Sequence, residues 1–158
     1  MSEACGHHHV DAPPGAADVA RAIQDADRRL TAEGERMTPS RLRVLELLLA
    51  AGEPVKAYDL IARFGEDGQP AKPPTVYRAL EFLERKGLAH RIASISAYVA
   101  CTSGAIDHAA AFLICDCCGA TAEVSAPVAG DLARAAEVAG YAIARTTIEA
   151  HGRCPACQ

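Results

Sequence analysis

The spacing of apolar residues divides this 158-residue chain into two stretches of different rhythm. After Asp18, Val19, Ile23, Ala26 and Leu30 recur at helical intervals and Gly34 ends the run, which predicts a first helix. TPSRLRVLELLLAAG predicts a second: Thr38 caps it, Pro39 suits its first turn, and Leu42, Leu45, Leu48 and Leu49 make one apolar face. AYDLIARFG predicts a short helix closed by Gly65. KPPTVYRALEFLERKG predicts another, because Pro73 and Pro74 fit only at a helix start. Val76, Leu80 and Leu83 line its apolar face; Thr75, Arg78, Glu81 and Arg85 lie opposite, with Tyr77 beside them. LAHRIA and SAYVAC then alternate about a turn near Ser94 and predict a β-hairpin.

Beyond residue 103 the rhythm changes. AAFLIC predicts a strand, ATAEVS a second, PVAGDLARAAEVAG an Ala-rich helix, and YAIARTTIEAHG a third strand. The fold expected is α+β. A winged helix-turn-helix domain over 18–100 is followed by a hinge at 101–104 and a small α/β domain over 105–158, which needs a partner subunit, a metal or both for stability, with residues 1–17 as a flexible tail. In a winged helix the last helix before the wing enters the major groove. Thr75, Tyr77 and Arg78 would then face DNA, with Arg78 suited to guanine's paired acceptors. A polar face that merely meets water explains the same pattern.

Charge changes this picture a little. The net charge is −4, yet residues 36–91 carry 10 basic and 7 acidic side chains, the one stretch with a positive balance. That fits a DNA-facing segment or ordinary surface variation. Half the residues are apolar, which excludes a disordered chain on composition. No apolar run approaches the roughly 20 residues of a membrane span, and the polar, acidic start predicts no secretory leader. A cytoplasmic location follows as the expectation, and with it reduced thiols for the seven cysteines. His7, His8 and His9 form a metal-scavenging tract, the remains of a tag, or neither.

Cysteine spacing carries the strongest chemistry. Cys115 and Cys118 form one C-x-x-C pair, and Cys154 and Cys157 a second. Two such pairs, each beside a predicted strand end, point to four thiolates around one structural zinc ion. A redox dithiol needs one pair, usually opening a helix. Cys117 is left over as a spare thiol. His90, Cys101, His108 and Glu123 form a second possible ligand set. Singly each has a plainer reading: wing surface, buried thiol, loop histidine, strand carboxylate. Together they would fill a closed site between the two domains, suited to sensing rather than hydrolysis.

KPPTVYRALEFL, SAYVAC, HAAAFLICDCCG and IEAHGRCPAC together resemble the ferric uptake regulator family, and within it the zinc uptake regulator branch; the resemblance covers residues 18–158. It implies a cytoplasmic homodimer that binds an inverted repeat in double-stranded operator DNA and represses zinc-uptake genes when zinc is replete. It implies two zinc ions per subunit: a structural one at Cys115, Cys118, Cys154 and Cys157, and a regulatory one at His90, Cys101, His108 and Glu123. It also matches Tyr58 and Arg78 to positions that reach operator bases. The His-rich run of the iron-responsive branch is replaced here by IDHAAAFLIC, and a thiolate at Cys101 favours zinc over ferrous iron. An iron- or peroxide-sensing regulator is the alternative within the family. A zinc buffer or metallochaperone is the alternative of another class. No membrane partner, small-molecule substrate or catalytic residue is expected.

Overall fold

The computed structural model describes residues 14–65, 71–101, 110–125 and 128–158. They group into two compact units, one within 11–106 and one within 107–158. The first contains α1 (Ala16–Ala32), α2 (Pro39–Ala51), β1 (Val55–Lys56), α3 (Ala57–Arg63), α4 (Pro73–Arg85), β2 (Ala89–Ile92) and β3 (Ala97–Ala100). The second contains β4 (Ala110–Cys115), β5 (Thr121–Ser125), α5 (Val128–Val138), β6 (Thr147–Gly152) and a 3-10 turn at Pro155–Cys157.

Local chemistry sets the helix ends. Thr38 accepts the Arg41 N–H at α2's start, with Pro39 in the first turn. Gly52 closes α2 at φ +64, a left-handed conformation that glycine adopts without a Cβ clash. Pro73 and Pro74 open α4, where missing N–H groups cost nothing. α1 begins at Ala16, ahead of the expected start, because the Gly15 carbonyl accepts the N–H groups of Asp18 and Val19. Asp18 therefore lies inside the first turn, where a carboxylate suits the positive end of the helix dipole.

The first unit's core gathers Leu30, Leu45, Leu48, Leu60, Val76, Leu80, Phe82 and Leu83 from all four helices. On α2 the buried face runs through Val44, Leu45 and Leu48 rather than Leu42 and Leu49, which are only half-buried. Arg41 lies over the Phe82 ring, 3.3 Å from its centroid, and joins α2 to α4. The predicted hairpin forms β2 and β3, antiparallel, with Ser96 at φ +52 in its turn. β1 was not expected. Two residues are too few to alternate, yet Val55 and Lys56 pair with Tyr98 and Ala97, giving the sheet order β1-β3-β2. Helices followed by this hairpin make a winged helix.

In the second unit the sheet order is β5-β4-β6, with β4 antiparallel to β5 and parallel to β6. The predicted last strand is shortened: residues 141–146 are not strand. β6 pairs with β4 from Thr147, in register with Ala110, and the Thr146 carbonyl accepts the Ala110 N–H at 3.2 Å. No helix among the described residues is long and apolar enough to cross a membrane.

Candidate functional site

β4 ends at Cys115 and the chain turns immediately, with the Gly119 N–H donating to the Cys115 carbonyl at 2.9 Å. Gly119 sits at φ +76, which lets the chain reverse into β5. β6 ends at Gly152, in register with Cys115, and Cys154 then starts the 3-10 turn that carries Cys157. Parallel pairing of two strands thus brings both C-x-x-C loops to the same end of one sheet. The Sγ atoms of Cys115, Cys118, Cys154 and Cys157 all lie within 4.8 Å of one another. Cys118 and Cys154 Sγ are 3.7 Å apart. A tetrahedral ion with zinc–sulfur bonds of about 2.3 Å separates its sulfurs by about 3.8 Å. That spacing is too wide for a disulfide and fits a shared metal ion.

Electrostatics prepares one thiolate in advance. Backbone N–H groups of Cys118, Cys154 and Cys117 pull the Cys115 thiol down to about 6, against the opposing effect of burial. The Cys154 N–H reaches Cys115 Sγ at 3.3 Å. Burial and the neighbouring thiols push Cys157 up. At Cys118 the Ala120 N–H lowers the thiol, but burial and the Cys115 and Cys154 thiols leave it raised overall. A cation would reverse these penalties, since each thiol then loses its proton to the metal bond. With four sulfurs the set is closed and leaves no position for a reacting water. Cys117 is exposed and outside the group.

One further contact ties these loops. Asp116, next to Cys115, donates its N–H to the Gly152 carbonyl at 2.9 Å. Its Oδ1 accepts from His151 Nδ1, also at 2.9 Å.

Members of the second ligand set fall in different places. His90 is half-buried on β2, opposite Val99. Cys101 follows β3, is half-buried, and donates its N–H to Leu88 at 3.0 Å, extending the ladder by one position. By this register His90 and Cys101 emerge on one face of the hairpin. Glu123 is half-buried on β5 of the second unit, opposite Phe112. His108 lies outside the described residues, as does the His7, His8, His9 run.

On α4 the buried residues are Val76, Ala79, Leu80, Phe82 and Leu83, which leaves Tyr77 and Arg78 exposed and Thr75 half-buried. Tyr58 on α3 is 77% exposed, unusual for an aromatic residue without a partner surface. α3 has only seven residues and is braced from α2. Arg43 Nε donates to the Phe64 carbonyl at 3.0 Å and Nη2 to the Arg63 carbonyl at 3.2 Å. A cation on these terminal carbonyls also complements the helix dipole. Sequence reasoning missed Arg43, Asp116 and His151. Arg43 leaves no local signal, being 20 positions or more from the carbonyls it holds. The adjacency of Asp116 to Cys115 and of His151 to the second pair was the available hint.

A profile of the ferric uptake regulator family matches residues 32–151. The zinc uptake regulation protein of Escherichia coli (strain K12) is 39% identical over 137 residues, covering 85% of this chain and 80% of that one. A solved zinc uptake regulator complexed with zinc and DNA is 38% identical; the match covers 87% of this chain and 93% of that chain, with a TM-score of 0.78. Holo XcZur is also 38% identical, covering 84% of this chain and 94% of that one, with a TM-score of 0.74. With a family profile spanning most of its length, this chain belongs to the ferric uptake regulator family.

Proposed function

We propose that this protein is a zinc-responsive transcriptional repressor that binds operator DNA as a zinc-loaded homodimer and represses zinc-uptake genes in the cytoplasm. The observation that carries this is the four-cysteine cluster in a chain 39% identical to a zinc uptake regulation protein. The first zinc ion would sit among Cys115, Cys118, Cys154 and Cys157, where it supplies folding free energy rather than reactivity. The second would be held by His90, Cys101, His108 and Glu123. The common face of His90 and Cys101 supports that set, and so does the softness of a thiolate, which suits zinc better than ferrous iron.

In this reading 18–100 reads DNA, 101–104 is a hinge, and 105–158 dimerises. Because the second ligand set draws on both sides of the hinge, zinc would favour one arrangement of the DNA-reading parts, and operator would tighten zinc in return. Exposed Tyr58, Tyr77 and Arg78, with Thr75 at α4's first turn, support major-groove contact. Exposed Leu113, Leu132, Val138, Tyr141 and Ile143 on the second unit support a second copy as partner. A dimer of this kind reads an inverted repeat, with half-sites about one helical turn apart.

Operator binding against buffered free zinc tests the reading. Wild type is expected to bind only as zinc rises. Cys101→Ser is expected to keep its dimer and its cluster zinc but lose that response. Equal binding by both proteins with and without zinc would overturn the switch, and repression by ferrous iron at low zinc would favour an iron sensor.

A further inference from the structure

We propose that Asp116 and His151 are positioning residues for the four-cysteine site, clasping its two loops together and slowing loss of the metal. The inference rests on the reading of that cluster as a zinc site. The β4–β6 ladder stops at Cys115 and Gly152. Beyond it the chains diverge into two separate turns, each carrying two or more ligands or their neighbours. Several ties reach across this end of the sheet. One is the Cys154 N–H to Cys115 Sγ, which involves a ligand atom itself. Another is the pair at Asp116: its N–H makes the last bond of the β4–β6 ladder, to the Gly152 carbonyl, and its carboxylate reaches His151. A carboxylate can only accept, so the imidazole Nδ1–H is the donor. The contact joins residues 35 positions apart and flanks a ligand on one loop and the approach to two ligands on the other.

A metal held by two loops leaves when one loop swings away and its sulfurs are captured by water or a chelator. A side-chain tie across the loops raises the cost of that first opening and returns opened loops to register. Neither side chain touches the ligand sulfurs in this arrangement, so the effect is on geometry and lifetime, as with other outer-shell groups of metal sites. The pair is partly solvent-exposed, which keeps its effect moderate.

The test uses the full-length zinc protein, with zinc release followed by an excess of a chromogenic chelator. Cobalt substitution checks the ligands through the absorption of tetrahedral thiolate cobalt. Asp116→Ala and His151→Ala are expected to release zinc about threefold to tenfold faster, with the wild-type cobalt spectrum retained. The double variant is expected to be no faster than the quicker single, because one contact is removed in each. Asp131→Ala, which breaks an exposed ion pair to Arg134 on α5, serves as the control and should release zinc at the wild-type rate. Wild-type release rates in both single variants, or effects that multiply in the double, would overturn the clasp. A wild-type protein without a tetrahedral thiolate spectrum would overturn the zinc reading itself, and the clasp with it.

Discussion

In the first unit the fully buried side chains Leu30, Leu48, Leu60, Leu80 and Leu83 come from four helices that pack on one another, and Ile92 adds to them from β2. Among the described residues of the second, the buried ones are Ala110, Ala111, Phe112, Ile114 and Cys115 from one strand, together with Cys157. Every described residue of α5 is exposed or half-buried. The two units therefore meet the same entropy cost of folding by different means. One has enough apolar contact for ordinary cooperative stability. The other has a single covered strand and a closed set of thiols, which is the composition of a domain stapled by a metal or completed by a partner. This division also suits the proposed sensor, because the part proposed to read DNA can stay folded whatever happens at the cluster.

The largest effect that could break this comparison is removal of the cluster metal. Chelation, or Cys154→Ser, should unfold the second unit and abolish dimerisation while the first keeps its helical signal. Structural zinc supplies on the order of 10 kcal/mol of apparent folding free energy at neutral pH. Two-wavelength thermal melts with sedimentation would register this, and a chelated protein that stays dimeric with one unchanged transition would refute it. Leu83→Ala probes the other side. It leaves a cavity in a fully buried site of α4 and should cost the first unit about 2–5 kcal/mol with bound zinc unchanged. A loss of zinc in parallel would mean the units are not energetically separate.

The smallest effect concerns Lys86, which bridges Glu33 at 2.9 Å and Glu35 at 3.1 Å beyond the end of α4. The hydrogen bond from Lys86 holds the Glu35 carboxyl below its ordinary value of 4.5, and Glu33 and Glu35 raise Lys86 above 10.5. A depressed carboxyl stabilises the fold above its unfolded value and loses that contribution as pH falls through the folded one. A raised lysine stabilises below its unfolded value and loses the contribution as pH rises through the folded one. The bridge should thus help across neutral pH. Lys86→Met should lower the first unit's melting temperature slightly at pH 7, and the difference should vanish in acid. A difference that persists at pH 3 would assign the effect to packing instead.

Caps and prolines made α2 and α4 legible in the sequence, because Thr38, Pro39, Pro73 and Pro74 act within one turn of where they stand. The cysteine pairs were legible for a related reason: C-x-x-C is a local geometry, and two copies beside strand ends call for one centre. What escaped depends on contacts made across long separations. β1 exists only because Tyr98 and Ala97 lie alongside it. Val44 rather than Leu42 is buried on α2 because the other helices choose that face. The strand expected over Tyr141–Gly152 keeps only Thr147–Gly152, the part that pairs with β4 from Ala110 onward. The tie from Asp116 to His151 depends on a parallel register that no local spacing encodes.

That parallel register has a consequence for how the chain is made. β4 and β5 are joined by a short turn and can pair as soon as both leave the ribosome. β6 follows only after α5, so the neighbour on β4's other side arrives last. Until then the apolar strand AAFLIC keeps one edge open, a template for pairing with other chains. The nascent protein also holds two of the four cluster thiols, Cys115 and Cys118, for the time needed to add the 36 residues from Cys118 to Cys154. Zinc captured in that interval would have half its ligands, so the order of synthesis places completion of the cluster after the pairing of β4 with β5 and makes it a natural point for quality control.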